Sequence, residues 1–126
     1  MRITLSRLAT LSAVEVVERL SNSILEDVPE GITTEDDIKK LEILLGRLPN
    51  NYAYVVELLG YSRSMVRTYK REKEKEKYEN AMDLRDALEN IASAIKLQYQ
   101  GVSRMLTAYE QRDEENKMHE YRKERE

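Results

Sequence analysis

The sequence contains no cysteine, tryptophan or phenylalanine, and only two prolines and four glycines among its 126 residues. Without cysteine, the chain can form neither a disulfide framework nor a thiolate site, which fits a reducing compartment. No apolar run approaches the ~20 residues needed to cross a bilayer, and residues 1–5 are too polar for a secretory signal. We therefore expect a cytoplasmic protein that has no membrane partner.

Groups that carry out catalysis are also scarce. His119 is the only histidine, and Glu115 has the i,i+4 spacing to share a metal with it, but two ligands do not make a metal site. There is no glycine-rich phosphate loop, and acidic pairs such as Asp36 and Asp37 lie where a helix is expected to start. We therefore expect no enzymatic activity, no cofactor and no metal.

Helix-forming residues dominate what the sequence does contain. Charged residues make up 36% of the chain and apolar residues 40%, and the eight tyrosines are its only aromatic residues. A composition rich in Glu, Lys, Arg, Leu and Ala is typical of long amphipathic helices, and the length suits one domain with a small core. The expected fold class is all-α.

A first short helix is predicted over about residues 12–26. Ser12 and Glu15 have the spacing of a capping box, in which each side chain satisfies a free N–H at the helix start. The apolar positions that follow recur every three or four residues, as on one face of a helix. A turn at residues 29–31, which contains proline and glycine, ends it.

A second short helix is predicted over about residues 35–47. Two threonines at 33–34 supply a cap, and the acidic residues 35–37 complement the positive end of the helix dipole. Pro49 is expected to end this helix. Residues 1–49 are thus predicted to form an N-terminal helical region.

Two coiled-coil-like seams follow in residues 50–112, each predicted to lie on a long helix. Apolar positions alternate at spacings of three and four, and the second seam keeps this pattern for four heptads. The seams consist of Tyr52, Val55, Leu59, Ser62, Val66 and Tyr69, and of Ala81, Leu84, Leu88, Ile91, Ile95, Gln98, Val102, Met105 and Tyr109. Residues 113–126 are expected to be a charged C-terminal extension of the last helix.

Three residues of the seam helices have two interpretations each. Gln98 either lies at the edge of its seam or bonds a backbone group, or else it is buried and fixes the register or the oligomer number. Gly60 and Gly101 either permit close helix approach or are tolerated, at a cost of about 1 kcal/mol each relative to alanine.

Residues 70–77 read KREKEKEK and separate the two seams. Every residue is a good helix former, and nothing in the run can pack as a buried strand. Because the apolar pattern stops near Tyr69 and restarts near Ala81, we expect a turn within about 77–83, capped by Asn80 or Asp83. The pattern favours an antiparallel helical hairpin over one continuous long helix. The hairpin would place Tyr69 near Glu89, Leu59 near Tyr99, and Val55 near Ser103.

This hairpin predicts self-association. Leu84 and Leu88 would face the charged run and would have no apolar partners in their own hairpin, so either lysine stems and Tyr78 or another subunit would cover them. A homo-oligomer is therefore expected. The candidate interface residues are Leu84, Leu88, Ile91, Ile95, Gln98, Val102 and Met105.

A basic flank lies beside the first seam. Residues 61–78 contain seven basic and three acidic side chains, and at about 100° per residue several of them share one side of the helix. Such a stripe suits a phosphate backbone, although basic residues beside a seam often pair with acids on a neighbouring helix. Tyr61, Tyr69 and Tyr78 either stack on bases or complete the core. The candidate nucleic-acid-binding residues are Arg63, Arg67, Lys70, Arg71 and Lys73.

The two seams and the charged run resemble the helical-hairpin organisation of phage recombination mediator proteins, the UvsY-like family. The resemblance is carried by Leu48, Pro49, Tyr54, Leu58, Leu59, Tyr61, Arg63, Val66 and Tyr69, by the charged run, and by LRDALENIASAIKLQYQGVSRMLTAYE at 84–110. It implies a small, all-helical, ring-forming oligomer that binds single-stranded DNA and helps to load a recombinase. The two N-terminal helices depart from a bare hairpin.

A second class of function fits the same sequence. An oligomeric helical adaptor, virion component or inhibitor of a host protein would use an exposed seam or the acidic N-terminal helices to contact a protein partner, without binding nucleic acid. The two classes differ in their response to salt, since phosphate binding weakens steeply as salt rises.

Overall fold

A computed structural model describes residues 3–24 and 27–125, and within these ranges it contains helices and no strand. Four helices follow one another: α1 (Leu5–Leu8), α2 (Ala13–Ser23), α3 (Glu35–Glu72) and α4 (Lys75–Arg125). The long helices α3 and α4 pack against each other as an antiparallel hairpin, and the two short helices precede it. The all-α hairpin fold predicted from the sequence is confirmed.

The predicted helix starts are confirmed by their caps. The hydroxyl of Ser12 accepts a hydrogen bond from the N–H of Glu15 at 3.2 Å. At the start of α3, Thr34 and Asp37 form a full capping box. The predicted 12–26 helix corresponds to α2, which ends at Ser23, and residues 25–26 lie outside the described part of the chain. Helix α1 was not predicted.

The prediction that a separate helix over 35–47 ends at Pro49 is wrong. α3 continues through Pro49 to Glu72, so no helix boundary falls at residue 49. The proline ring removes one backbone N–H, which costs the helix its bond to the carbonyl of Leu45. Leu48 and Val55 are fully buried on either side. Their packing outweighs the local cost of the proline.

The turn of the hairpin lies at Lys73 and Glu74, inside the charged run, and not within 77–83 as predicted. Lys73 adopts a left-handed conformation (φ 59°, ψ 33°) and is the only non-glycine residue with positive φ in the described chain. The N–H of Glu74 donates to the carbonyl of Tyr69 at 3.1 Å, which closes the end of α3. The residues of the charged run bury no apolar side chains, so packing does not select one turn position among them. Local hydrogen bonding selects the position instead.

The earlier turn changes which residues lie opposite one another. Arg63, not Tyr69, reaches Glu89, at 3.3 Å. Leu59 lines a cavity with Glu89 and Ala92, whereas Tyr99 lines one with Pro49. The predicted pairs of Tyr69 with Glu89 and Leu59 with Tyr99 are therefore wrong by several residues.

The N-terminal segment docks on one side of the hairpin. α1 packs on α3, and α2 packs on α4. Asn80 donates to the carbonyl of Leu11 at 3.3 Å, and Asn51 donates to the carbonyl of Ile24 at 3.4 Å. The backbone N–H and carbonyl of Ile3 both bond the hydroxyl of Tyr54. Since Leu11 lies near the turn and Ile24 lies farther along the hairpin, α2 runs away from the turn beside α4.

This docking completes the hydrophobic core. Leu84 and Leu88 are fully buried, in one cluster with Leu8, Val16 and Leu20 of the N-terminal segment. The single chain already covers these two leucines, so the argument for self-association that rested on them does not hold. The sequence pattern missed their partners because those partners come from α1 and α2, far away in the chain.

Gly60 and Gly101 do not serve close helix approach within the chain. A Cβ atom added at either position would meet nothing within 4 Å. The structure therefore fits the other interpretation, in which the two glycines are merely tolerated in their helices.

Candidate nucleic-acid interface at the hairpin turn

The five residues predicted to bind nucleic acid occupy the last turns of α3 and the hairpin turn. Arg63, Arg67, Lys70, Arg71 and Lys73 are all exposed to solvent. α3 holds the first four in place along one rigid helix, and the left-handed Lys73 ends that helix. The structure thus brings the whole set to one end of the bundle.

Among the described residues, one of these five cations has a carboxylate partner. Arg63 pairs with Glu89 of α4, as basic residues beside a seam often do. The guanidinium of Arg67 donates to the hydroxyl of Ser64 at 3.2 Å, a neutral partner. Lys70, Arg71 and Lys73 take part in no ion pair among the described residues. Their charges are therefore available to an external anion.

A cavity of about 200 Å³ lies at the turn. Three lysines and two tyrosines surround it together with a single carboxylate. Its lining residues are Tyr69, Lys70, Lys73, Glu74, Lys75 and Tyr78. Lys75 was not among the predicted site residues, and Tyr78 was considered only as a residue that could stack on bases, because the turn was expected later, within 77–83.

One local ion pair shapes the edge of this cavity. Lys77 bonds Glu74 at 2.9 Å, and its ammonium lies 5.7 Å from the centre of the Tyr69 ring. The hydrogen bond with Glu74 and the charge of that carboxylate raise the pKa of Lys77. The carboxylate of Glu74 is already paired with Lys77. It therefore cancels less of the positive charge of the lysines that line the cavity.

The predicted oligomer interface lies largely inside the single chain. Leu84, Leu88, Ile91, Ile95 and Val102 are buried in the core, and Gln98 and Met105 are half-buried. The homo-oligomer stays a prediction. These side chains give it little support, since they already pack within one subunit.

Other kinds of site receive no support from the described residues. Residues 3–24 and 27–125 contain no group of three or more His, Cys, Asp or Glu side chains that could hold a metal ion. Over the same part of the chain, no helix combines the length and the apolar character that a membrane span requires.

No protein-family model matches the chain, and neither a curated protein nor a solved structure matches it. The resemblance to the UvsY-like family therefore stays a prediction. The arrangement of charges at the turn has to carry the functional proposal.

Proposed function

We propose that this is a non-enzymatic protein that binds single-stranded DNA at the hairpin turn. The observation that supports the proposal is the cavity at residues 69–78, in which Lys70, Lys73 and Lys75 surround two tyrosine side chains. Lysines attract the phosphate backbone, and releasing its counterions supplies most of the sequence-independent affinity.

Single strands suit this site better than duplexes. Tyr69 and Tyr78 are half-buried beside the lysines and line the same cavity, so each is placed to stack on a base that enters it. Base stacking on an aromatic ring contributes about 1–3 kcal/mol per base and is tolerant of sequence. A duplex keeps its base faces stacked inside the helix and offers only phosphates.

Loading a recombinase onto the bound strand is the role that the resemblance to recombination mediators implies. We propose it as the biological context of the DNA-binding activity. A recombinase would then be a protein partner, and an oligomer would present several hairpin turns to one strand.

A protein-binding function is the second candidate, and an apolar groove favours it. The groove lies between α3 and α4, far from the turn, and has a volume of about 280 Å³. Leu48, Pro49, Tyr52, Ile95, Lys96 and Tyr99 line it. An adaptor, virion component or inhibitor would use such a groove to hold an apolar side chain of its partner.

The test of DNA binding is fluorescence anisotropy with labelled oligo(dT), at salt concentrations from about 25 to 300 mM. We expect binding at low salt that weakens steeply as salt rises, because lysine–phosphate contacts release counterions. The double variant Lys73→Glu, Lys75→Glu should weaken binding by at least about tenfold. A duplex of the same length should bind more weakly than the single strand.

The matched control is Lys39→Glu, Lys40→Glu, which makes the same change in net charge on exposed lysines at the other end of α3. It should keep most of the affinity. If the wild-type protein fails to bind at the lowest salt, or if both double variants lose equal affinity, the site at the turn is wrong.

A further inference from the structure

One side of the hairpin is covered by the N-terminal segment and the opposite side is not. Tyr54 marks the covered side, since it bonds Ile3 of the N-terminal segment. Val56 lies about 160° around α3 from Tyr54, and 41% of its surface is exposed. We call the side around Val56 the open face.

The open face is apolar at its middle. The apolar part is a groove of about 280 Å³ between α3 and α4, lined by Leu48, Pro49, Tyr52, Ile95 and Tyr99 together with Lys96. A neighbouring cavity of about 310 Å³ shares Tyr52 and Lys96 but also contains Glu89 and Ser93, so it is more polar. Tyr52 is 38% exposed and Tyr99 is 40% exposed, although both are large aromatic side chains. Apolar surface of this kind, concentrated in one place, marks an interaction site.

Charge changes sign along the open face. At about 100° per residue, Glu42, Tyr52, Arg67 and Lys70 all lie within about 40° of Val56 on α3. The stripe is thus acidic at the base, apolar in the middle and basic towards the turn. α4 repeats the acidic end, because Glu110 and Glu114 lie within about 40° of Lys96 on that helix.

We propose that the open face binds a second copy of this chain in an antiparallel arrangement, with the basic end of each copy against the acidic end of the other. Glu42 and Lys70 are both 14 residues from Val56 (56 − 42 and 70 − 56), or about 21 Å along the helix. A two-fold axis that passes by Val56 therefore sets Glu42 opposite Lys70 of the partner subunit. A parallel arrangement would set like charges against each other.

The size of the open face suits a stable dimer. From Glu42 to Lys70 the stripe is about 42 Å long, and two adjacent helices span about 20 Å in width. The resulting area of roughly 800 Å² per copy is that of a standard protein–protein interface. The apolar middle would be buried, and the charged ends would form its rim.

This dimer does not depend on the proposed DNA binding. Lys73 and Lys75 lie at the turn, beyond Lys70 on α3, and neither takes part in the proposed contact between Glu42 and Lys70. The two DNA sites would then lie at opposite ends of the assembly. Lys70 belongs to both surfaces, so DNA and the second copy are expected to compete for it.

Charge exchange between Glu42 and Lys70 tests the arrangement, with sedimentation velocity over about 1–200 μM protein at low salt and without DNA. Glu42→Lys and Lys70→Glu should each raise the dimer dissociation constant by about tenfold, because each variant creates two repulsive contacts in a two-fold dimer. The double variant restores opposite charges, so its dissociation constant should return to within about threefold of the wild type.

A second pair of variants separates the interface from the fold. Val56→Arg should leave only monomers, because it places a charge at the centre of the apolar region. Leu97→Arg is the control, since Leu97 is 68% exposed on α4 and lies about 100° from Lys96, on the outer side of that helix. It should keep the dimer, and circular dichroism should show both variants to be helical.

A monomer at every concentration, a dimer unaffected by Val56→Arg, or a double charge variant as weak as the single variants would overturn the proposal. None of these results bears on DNA binding, which Lys73→Glu with Lys75→Glu tests. Loss of DNA binding in a protein that still dimerises would overturn only the function proposed for the turn.

Discussion

The two faces of the hairpin are built from the same two helices but are closed in different ways. The covered face receives α1 and α2 through buried leucines and through side chains that bond backbone atoms of the N-terminal segment, namely Asn51, Tyr54 and Asn80. The open face carries Tyr52 and Val56, both exposed, between acidic and basic ends. One face is closed by its own chain, while the other has the features of a surface that meets a partner.

This difference has consequences for how each face responds to its surroundings. Buried apolar contacts and hydrogen bonds to backbone carbonyls depend little on salt, whereas charges on an exposed face are screened within about 10 Å at 0.1 M salt. We therefore expect mutations on the covered face to change folding stability. Mutations on the open face should mainly change association.

The largest expected effect lies on the covered face. Leu20 of α2 is 1% exposed in the core that α2 forms with the hairpin. Leu20→Ala should lower the free energy of unfolding by about 2–5 kcal/mol, because it leaves a cavity as well as losing buried apolar surface. Urea denaturation followed by circular dichroism measures this change.

Val14→Ala on the same helix is the control, since 67% of Val14 is exposed. It should change stability by less than about 0.5 kcal/mol. Equal effects of the two substitutions would mean that α2 does not dock as described, and that the hairpin has two open faces.

A change of opposite sign is expected at Pro49, beside the open face. Pro49→Ala restores an N–H that can bond the carbonyl of Leu45, and it should raise the free energy of unfolding by about 1–3 kcal/mol. The gain is less than the full helix-propensity difference, because proline also restricts the unfolded chain. Urea denaturation again gives the value, and a loss of stability would show that α3 is interrupted at this residue in solution.

Local signals in the sequence predicted the beginnings of α2 and α3 but not the end of α3. Ser12 and Thr34 cap helices through atoms only three residues away, so their patterns can be read directly. Pro49 is tolerated because of leucine packing across the bundle, and the turn falls at Lys73 without glycine or proline to mark it. These two outcomes depend on tertiary structure, which no local pattern contains.

The candidate site was predicted only in part, again because some of its residues depend on tertiary structure. The residues on α3 followed from helical periodicity, which holds wherever the turn lies. Lys75 was missed, and it joins Tyr78, already a candidate for base stacking, beside Tyr69 because the turn comes early enough to fold α4 back there. Asn80 was predicted as a helix cap, yet it bonds Leu11 of the N-terminal segment. The local sequence around a polar residue between two seams is the same whether the residue caps a helix or bonds a distant segment.

A moderate effect is expected from the asparagines that hold the N-terminal segment to the covered face. Asn51→Ala and Asn80→Ala each remove a half-buried hydrogen bond to a backbone carbonyl. Each should lower the free energy of unfolding by about 0.5–1.5 kcal/mol relative to Asn90→Ala, which makes the same change in helix propensity at an exposed position. Denaturation curves that agree for all three variants would mean that the covered face is held by apolar contacts alone.

The smallest expected effect lies at the base of the hairpin, where neither face is involved. The carboxylate of Asp37 accepts hydrogen bonds from the N–H and hydroxyl of Thr33 and from the N–H of Thr34. These bonds, that from the Thr33 N–H above all, hold its pKa below the ordinary value of 3.8.

Because the folded pKa of Asp37 is lowered, its contribution to stability is present above pH ~4 and is lost as the pH falls through the folded value. NMR titration should give a pKa below 3.8, and Asp37→Asn should flatten the dependence of stability on pH below 4. Asp36→Asn removes the neighbouring carboxylate, which takes no part in the capping box, and should leave the titration of Asp37 in place. If α2 is loosened by Leu20→Ala, this titration should also stay unchanged, since the cap uses only residues at the start of α3. A shift of the Asp37 titration in that variant would mean that the covered face also orders the base of the hairpin.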